Sequence, residues 1–381
     1  SFGLPLLYQG ALYNTACLVA DGQILGFVGK QNLAGEGIHY EPRWFKRWPE
    51  GVRVEASIGS AEYPLGDLIF ELGGVRLGYE ICEDAWVADR PGGKLASRGV
   101  DLILNPSASH FAFGKHEIRK RFVTEGSRAF NVGYIYANLL GNESGRAIYD
   151  GDAMIAQTGS LLATGPRFSY ADWQITHSVV DIDAIRMSRA RTGSFRPTIA
   201  ADPSDTVVAS FAFPPLTPQH EAAAHPAWET SPQIKEEEFT RAESLALFDY
   251  LRKSRSHGFV VSLSGGADST AVSYLVSRFV DFALAEIGRE GLLKKLSYIR
   301  GLDVPVGNAL RGVPPINQQI VHRLLACVYQ ATRNSGEVTR NAARTVAKAL
   351  GAEYFEFDVD RVVEEYKGLV SRGIGRELDW K

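Results

Sequence analysis

The sequence predicts an α/β protein made of two successive regions, a strand-rich layered sandwich and a doubly wound parallel sheet. Three observations lead to this prediction. Up to about residue 190, short strand patterns alternate with turns and are interrupted by one clear helix. After about residue 235, strand and helix patterns alternate, which is typical of a parallel sheet flanked by helices. Between residues 196 and 235 the composition shifts to Pro, Ala, Ser, Thr and Asp, which indicates a linker or a wrapping arm.

The first region is defined by its strand patterns and turn dipeptides. Strands are predicted over residues 6–8, 13–20, 24–28, 75–81, 100–105, 132–138, 153–156 and 178–182, and a helix over 115–130. Turns are predicted at Asp21-Gly22, Asp150-Gly151 and Thr158-Gly159. Many strands and few helices over this length favour a layered sandwich.

The second region begins with a helix and continues as strand and helix pairs. The first helix places Phe239, Leu245, Phe248 and Leu251 on one face. A later helix carries an apolar stripe at the i, i+3, i+4 spacing, made of Val272, Leu275, Val276, Phe279, Val280, Ala283 and Ile287. Residues 288–320 show no clear period. A strand over 324–329, a helix ending at Leu350 before Gly351, and a strand through Phe355, Phe357 and Val359 then follow.

The bulk properties exclude several classes of protein. The chain has 381 residues, of which 45% are hydrophobic and 22% charged, so it has room for two ordinary globular domains. The net charge of −3 argues against a nucleic-acid partner. No apolar run of transmembrane length and no signal peptide is visible, so we expect no membrane partner and a cytoplasmic location. Three cysteines without metal-ligand spacing fit a reducing compartment.

A glycine-rich loop between a strand and a helix is the strongest functional signal. It consists of Ser262, Leu263, Ser264, Gly265, Gly266, Ala267, Asp268 and Ser269. Paired glycines let backbone amides approach a polyanion, and the following helix N-terminus adds partial positive charge. The serines add hydroxyl donors, and Asp268 is a candidate Mg²⁺ ligand. The loop lacks the spacing of the dinucleotide fingerprint and the Gly-Lys-Ser/Thr ending of the Walker loop. The alternative is a glycine-rich turn without a ligand.

This loop resembles the S-G-G-x-D-S loop of the PP-loop ATP pyrophosphatases. The resemblance implies that the second region binds ATP and Mg²⁺, cleaves ATP between the α and β phosphates, and adenylates a carboxylate or carbonyl group.

A possible nucleophile lies in the first region. Cys82 ends a predicted strand and is flanked by acids that disfavour its thiolate, so a nucleophilic role requires a nearby cation. Lys30, just past another predicted strand, is the candidate. The alternatives are a small buried hydrophobic residue for Cys82 and a solvated lysine for Lys30.

Three segments around these residues, 29–45, 78–86 and 105–110, resemble the nitrilase superfamily of Cys-Glu-Lys amidases in order and spacing. The resemblance implies an α-β-β-α sandwich. It also implies that Cys82 is the nucleophile, that Lys30 stabilises the oxyanion, and that Glu41 is a second, supporting glutamate. The general-base glutamate of that superfamily precedes its lysine, whereas no glutamate precedes Lys30 here. The chain starts at Ser1 and stops abruptly, so we expect truncation at both ends and loss of that base.

An amidase followed by a PP-loop region resembles one family, the glutamine-dependent NAD synthetases, over nearly all of the chain. The resemblance implies that the first region hydrolyses glutamine and that the second adenylates deamido-NAD with ATP, so that ammonia displaces AMP and gives NAD. For glutamine it implies Glu83 at the amino group, Ser109 at the bound substrate and Lys115 at the carboxylate. Some relatives carry tyrosine at the position of Glu36 and arginine at that of Lys115. It also implies a homo-oligomer.

Several of these assignments have structural alternatives. Ser109 could be a strand-end hydroxyl that caps its loop, and Lys115 a solvated residue of the first helical turn. Thr332 and Ser335 are candidates for the adenosine side of the nucleotide, because they follow the next strand of the sheet. They could instead form an N-cap cluster for the next helix.

The domains expected are therefore a nitrilase-like glutaminase over 1–195, a linker over 196–235 and a PP-loop NAD synthetase domain over 236–381. The alternative functions are another PP-loop amidotransferase, a nitrilase-family amidohydrolase with an unrelated tail, and a binding fragment without turnover.

Overall fold

In the computed structural model of the chain, the described residues are 1–143, 145–199, 205–216, 226–303 and 314–378. They form two compact units. The first lies within residues 1–235, and the second consists mainly of the residues from Glu236 onward, together with Tyr170–Asp172 from earlier in the chain. Of the predicted linker, residues 200–204 and 217–225 lie outside the described residues.

The first unit is mainly β-structure. Its strands are β1 (Phe2–Tyr8), β2 (Ala11–Ala20), β3 (Gln23–Gly29), β4 (Arg53–Ile58), β5 (Ala61–Gly66), β6 (Ile69–Leu72), β7 (Val75–Tyr79), β8 (Leu102–Ser107), β9 (Gly133–Asn138), β10 (Leu140–Glu143), β11 (Ala147–Asp150), β12 (Met154–Gln157), β13 (Ser160–Thr164) and β14 (Thr206–Ala209). Its helices are α1 (Glu41–Trp44), α2 (Pro91–Ser97), α3 (Lys115–Phe130) and α4 (Ile182–Arg191).

Two large sheets form the centre of this unit. One has the strand order β1-β2-β3-β5-β4 and the other β13-β12-β9-β8-β7-β6-β14. Strands β7, β8 and β9 are parallel neighbours, so their carboxyl ends meet at one edge of the larger sheet. Strand β14 pairs in parallel with β6, so part of the predicted linker is an arm that extends the sheet.

Apolar side chains separate the layers. Ala16, Leu18 and Val28 of the smaller sheet pack with Phe70 and Leu77 of the larger one. The opposite face of the larger sheet packs against α2 and α3, with Leu95 and Val123 among its buried contacts. On the outer face of the smaller sheet, Trp48 packs with Phe27 and Leu65. This arrangement fixes the edge at which strand ends and helix starts converge.

Local sequence signals account for several of these elements. The predicted turn at Asp21-Gly22 joins β2 to β3, and both residues have positive φ, as tight hairpins require. The predicted helix 115–130 is observed as Lys115–Phe130, between Gly114 and Asn131, which both have positive φ. The strand predicted over 178–182 is wrong, because Asp181 accepts a hydrogen bond from the Ala184 amide and caps α4.

The second unit contains a parallel sheet with helices packed against it. Its elements are α5 (Ile234–Ser254), β15 (Phe259–Ser262), α6 (Ala267–Lys295), α7 (Ile316–Leu324), β16 (Leu325–Ala331), α8 (Glu337–Leu350), β17 (Glu353–Asp358) and α9 (Asp360–Ile374). The strand order is β15-β16-β17, with both pairs parallel. Helix α6 packs against β15 and β16, and α8 against β16 and β17.

The predicted apolar faces are mostly buried. Leu275, Val276, Phe279, Val280 and Ala283 of α6 are buried, as the sequence predicts, but Val272 is exposed. Phe239 is likewise exposed on α5, whereas its predicted neighbours Leu245, Phe248 and Leu251 are buried. The segment 288–320 is more regular than predicted, because α6 continues past a kink at Gly288 and α7 begins at Ile316. Residues 304–313 of it lie outside the described residues. Within the described ranges, no helix is both long and apolar enough to cross a bilayer.

Candidate active sites

The candidate nucleophile sits in a strained backbone position. Cys82 begins a 3-10 turn, Cys82–Ala85, which follows β7 at the carboxyl edge of the larger sheet. Its φ is +49°, in the left-handed region that costs a non-glycine residue about 1–2 kcal/mol. The side chain is half-buried rather than enclosed. Strain of this kind is common at functional sites, so the geometry favours a reactive thiol over a packing role.

Hydrogen bonds to Asp84 hold this turn against a second loop. One oxygen of Asp84 accepts from the Ile81 amide at 2.9 Å, and the other accepts from the backbone and side-chain nitrogens of Asn32 at 2.8 and 3.0 Å. Burial raises the pKa of Asp84 to about 6, although these three hydrogen bonds oppose the rise. Because Asn32 follows Lys30 by two residues, the same contacts bring the lysine loop to the cysteine turn.

The acid that precedes the turn is paired elsewhere. The buried carboxylate of Glu80 accepts from Arg90 at 2.6 Å, from the Tyr134 hydroxyl at 2.5 Å and from the Gly92 amide at 2.8 Å. A carboxylate bound by three donors adds little repulsion to a nearby thiolate. Two of the three acids that flank Cys82 are therefore already bonded.

Lys30 is buried and paired, which rules out the solvated alternative. Its side chain is 1% exposed, and its ammonium lies 2.5 Å from Glu41. The carboxylate of Glu41 also accepts from the Asn14 amide and from the Ala34 backbone, each at 2.6 Å. A buried ammonium requires such a partner, since an unpaired one would cost several kcal/mol. Glu41 therefore supports Lys30, as the nitrilase resemblance implies.

Glu83 is the remaining acid near the nucleophile. It is half-buried, and among the described residues its carboxylate has no hydrogen-bond or ion-pair partner. Burial raises its pKa, while the positive charges of Lys30 and Lys115 lower it. A partly desolvated carboxylate without a protein partner is suited to receive a substrate ammonium group.

Ser109 is held in place by the half-buried Asn138 and the buried Arg119. Its amide donates to Asn138 at 2.8 Å, and its carbonyl accepts from Asn138 at 2.9 Å and from Arg119 at 2.8 Å. The hydroxyl lies 3.4 Å from Arg119. In place of the alternative, a hydroxyl that only caps its loop, the hydroxyl faces a buried guanidinium, which fixes the loop; the predicted contact of Ser109 with glutamine stays a prediction.

Arg119 is the centre of a charge cluster that the sequence reasoning missed. It is fully buried and donates to Asp150 at 2.8 and 2.9 Å and to Asp152 at 3.1 Å. The sequence places Asp150 only in a predicted turn with Gly151. No local pattern pairs an arginine in a helix with acids some thirty residues later, so the sequence carries no signal for this cluster.

Lys115 is the first residue of α3 and is not a freely solvated lysine. Its ammonium lies 5.5 Å from the centre of the Trp86 ring and 3.3 Å from Nδ1 of His110. Burial first, and then the charge of Arg119, lower the pKa of Lys115 to about 8. The structure thus brings a cation and the free carboxylate of Glu83 to the same region as Cys82.

In the second unit, the glycine-rich loop has the geometry of a phosphate cradle. Gly265 has φ of +80°, and a Cβ at this position would lie 2.6 Å from the Thr339 carbonyl oxygen, so only glycine fits. The Ser264 and Gly266 amides are 3.2 Å from the hydroxyls of Ser269 and Ser264, respectively. The loop opens directly into α6, whose first amides have no partners within the helix.

Asp268 lies in the first turn of α6 and is exposed. Among the described residues it has no ion-pair partner, and no cluster of three metal-ligating side chains is found there. Mg²⁺ is commonly held by one or two carboxylates together with phosphate oxygens and water, so a lone carboxylate beside a phosphate cradle fits this ion.

An open cavity of about 380 Å³ lies beside the loop. Its lining residues are Ser262, Leu263, Ser264, Tyr329, Gln330, Asn334, Ser335, Gly336 and Thr339. The predicted residue Ser335 lines this cavity, whereas Thr332 does not. Thr332 instead bonds within its own turn, donating its amide to the Ser335 hydroxyl at 3.0 Å. The N-cap alternative is wrong for both residues, because Gly336 precedes α8 without a side-chain cap.

The first unit presents a thiol near a buried ammonium, and the second presents a glycine-rich loop beside a cavity, features that fit the class of proteins with an amidase region followed by an ATP-dependent synthase region. Comparisons agree with this class. The carbon-nitrogen hydrolase family matches residues 1–191, and the NAD synthase family matches residues 240–377. The chain therefore belongs to the carbon-nitrogen hydrolase family and carries an NAD synthase region after it.

The similar proteins are glutamine-dependent NAD(+) synthetases. The curated relatives include that of Oryza sativa subsp. indica, 30% identical over 100% of this chain and 52% of its own length. The human relative is 29% identical over 98% of this chain and 54% of its own length. The chain thus spans about half the length of the curated relatives it matches.

Solved structures confirm the fold. The glutamine-dependent NAD(+) synthetase of Cytophaga hutchinsonii is 38% identical, with a TM-score of 0.77 over 100% of this chain and 55% of that one. The enzyme of Acinetobacter baumannii, solved with adenosine diphosphate, is 19% identical with a TM-score of 0.62 over 99% of this chain and 54% of that one, and shows the fold alone. The predicted fold class and the predicted resemblance are confirmed.

Proposed function

We propose that this chain comes from a glutamine-dependent NAD synthetase, in which the first unit releases ammonia from glutamine and the second uses ATP to amidate deamido-NAD. The observation that carries the proposal is the buried Lys30–Glu41 ion pair, tied through Asn32 and Asp84 to the strained turn of Cys82. The relatives, all glutamine-dependent NAD(+) synthetases by name, support the same pairing of activities.

In the first unit, the Cys82 thiolate attacks the amide carbon of glutamine. The developing oxyanion is stabilised by Lys30, whose ammonium Glu41 holds in place. The proton that the thiol gave up is delivered to the departing nitrogen as the tetrahedral intermediate collapses, so that ammonia leaves and a γ-glutamyl thioester remains, which water hydrolyses to glutamate and the free thiol. Glu83, Lys115 and the loop of Ser109 bind the substrate's amino and carboxylate end in this proposal.

In the second unit, the loop from Ser262 to Ser269 binds the triphosphate of ATP, and Ser335 faces the adenosine side of the same cavity. Thr332 acts only by shaping the turn that presents Ser335. Asp268 would hold Mg²⁺, which supplies charge neutralisation to the phosphates. The nicotinate carboxylate takes the adenylyl group with loss of pyrophosphate, and ammonia then displaces AMP to form the amide.

We propose the domain boundaries that the sequence predicts, with a glutaminase over 1–195, a linker or arm over 196–235 and a synthetase over 236–381. We also propose that the protein is a homo-oligomer and has no membrane partner. The low net charge supports the further proposal that it has no nucleic-acid partner. A cytoplasmic location is supported by Cys17, Cys82 and Cys327, which are all free thiols.

The test is NAD formation by the complete protein from deamido-NAD, ATP and Mg²⁺, with either glutamine or ammonium as the nitrogen source. We expect NAD from both, and the variant Cys82→Ala should use ammonium only, because the synthetase needs no thiol. The matched control is Cys17→Ala, a buried thiol on β2 outside the proposed site. Loss of both reactions in folded Cys82→Ala, or no NAD from either source with the unaltered protein, would contradict the proposal.

A further inference from the structure

Two histidines from different loops meet in the first unit. His39 lies in the loop before α1, and His110 lies in the loop before α3. Nε2 of His39 is 3.0 Å from Nδ1 of His110, and the ring centroids are 5.0 Å apart. Each of these loops also carries proposed site residues, so the pair joins the two sides of the amidase site.

Lys115 bonds to the same ring nitrogen. Its ammonium lies 3.3 Å from Nδ1 of His110, with the Trp86 ring as its other close neighbour. Within the described ranges, no carboxylate lies at ion-pair distance from Lys115. A half-buried cation is therefore oriented by an imidazole and an aromatic face instead of by an acid.

The hydrogen-bond roles in this cluster follow from the chemistry of an ammonium. Lys115 has donors only, so Nδ1 of His110 must present its lone pair and the proton of His110 must be on Nε2. The same lone pair faces Nε2 of His39, which then carries a proton. His110 must be neutral, since a second proton on it would set N–H against N–H, whereas His39 can donate from Nε2 in its neutral form.

The surroundings favour these neutral forms. Burial, Lys115, His39 and Arg119 lower the pKa of His110 to about 4, with Asp150 acting in the opposite direction. Burial, Lys115 and Lys30 lower the pKa of His39, against the opposing charges of Glu41 and Glu143. Between a pH of about 4 and a pH of about 8, His110 is thus a neutral imidazole beside a protonated Lys115, and the lowered pKa of His39 favours its neutral form as well.

We propose that His110, held by His39, is a positioning residue that aims the ammonium of Lys115 at the α-carboxylate of the substrate. The proposal rests on the glutaminase function proposed above. A neutral acceptor orients the ammonium but leaves its charge unpaired, so the incoming carboxylate becomes its first anionic partner. An acid at position 110 would pair with Lys115 and compete with the substrate.

The experiment compares three variants of His110 in the complete protein. His110→Asn places an amide oxygen near the position of Nδ1 and should keep most of the activity. His110→Leu removes the acceptor and should raise the KM for glutamine by about tenfold to a hundredfold, with a smaller effect on kcat. His110→Asp should raise the KM further, because it neutralises Lys115. His257→Leu, at an exposed histidine of the second unit, is the matched control and should leave the KM unchanged.

A second substrate separates positioning from a structural role. 4-Aminobutanamide is glutamine without its α-carboxylate, so it cannot use Lys115. His110→Leu should lower kcat/KM for glutamine at least about ten times more than for this analogue. The proposal would be overturned if His110→Leu lowered kcat/KM equally for both amides, or if His110→Asn lost as much activity as His110→Leu. If the unaltered protein hydrolyses no glutamine, the proposed function itself fails, which is a different outcome.

The tautomer can be checked without turnover. Nitrogen-15 spectra of the histidine rings in the unaltered protein should show the proton of His110 on Nε2 at neutral pH. A proton on Nδ1 would overturn the proposal even if the variants fail to fold.

Discussion

Replacing Glu41 by glutamine tests whether the buried Lys30 is an oxyanion-stabilising cation. The substitution keeps the shape of the side chain and removes only its charge. The Gln oxygen can still accept from Lys30 and from the Ala34 amide. The Gln NH2 group would face Asn14, whose side-chain amide can flip so that its oxygen accepts. The hydrogen-bond count is nearly preserved, so the effect reports the lost charge.

The expected magnitude follows from burial. Lys30 is 1% exposed and Glu41 17% exposed. Removing one partner of such a pair costs about 3–5 kcal/mol, and the partial exposure of Glu41 favours the lower end, about 3 kcal/mol. If Lys30 avoids this cost by losing its proton, it no longer stabilises an oxyanion, and loss of one such group lowers kcat by about 10²–10³. Either route damages glutamine hydrolysis.

Three quantities are measured for each variant: kcat/KM for glutamine, the urea concentration at the midpoint of unfolding, and the rate of ammonium-driven NAD formation. Glu41→Gln should lose at least about a hundredfold in glutamine hydrolysis while its ammonium-driven reaction persists. Glu55→Gln is the matched control, because Glu55 is half exposed and its pair with Arg53 spans 3.3 Å at the surface. That control should change stability by less than about 0.5 kcal/mol. Normal glutamine hydrolysis by Glu41→Gln would refute the reasoning.

Two further predictions follow from the same structure. Gly265→Ala should abolish ammonium-driven NAD formation and spare glutamine hydrolysis, because its Cβ would lie 2.6 Å from the Thr339 carbonyl oxygen. The control is Gly288→Ala, since Gly288 also has positive φ (+68°) but no atom lies within 4 Å of its Cβ. If both variants lowered ammonium-driven NAD formation equally, the loop at Gly265 would not be the phosphate-binding site. For Lys115, a pKa of about 8 means that the cation is lost as pH rises through 8, so kcat/KM for glutamine should fall there. Lys115→Arg should remove that fall, since guanidinium stays protonated; the same alkaline profile in both proteins would exclude Lys115 as the carboxylate-binding cation.

The sequence predicts those parts of the fold that depend on local chemistry. The helix Lys115–Phe130 and the hairpin at Asp21-Gly22 follow from residues that tolerate positive φ beside clear periodic patterns, and in the hairpin at Thr158-Gly159 the signal is the glycine. The phosphate loop was also predictable, because the glycine that its geometry requires is visible in the motif. The strand predicted over 178–182 is wrong because Asp181 caps the helix that begins at Ile182, and the two valines before it do not extend into a strand.

The long-range partners in the candidate site were not predictable. Asn32 and Asp84 are 52 residues apart, and His39 and His110 are 71 apart. Their contacts exist because two sheets bring their strand ends together, which no local pattern encodes. Motif resemblance located Cys82 and Lys30, but only the structure shows that Lys30 is buried against Glu41.

The central claim is that nitrogen freed at Cys82 becomes the amide of NAD. The most direct measurement supplies the complete protein with deamido-NAD, ATP, Mg²⁺ and glutamine carrying nitrogen-15 in its side-chain amide, and determines the mass of the NAD formed. We expect labelled NAD from the unaltered protein, and no NAD from Cys82→Ala unless ammonium is added. Unlabelled NAD from the unaltered protein, or labelled NAD from Cys82→Ala without ammonium, would contradict it.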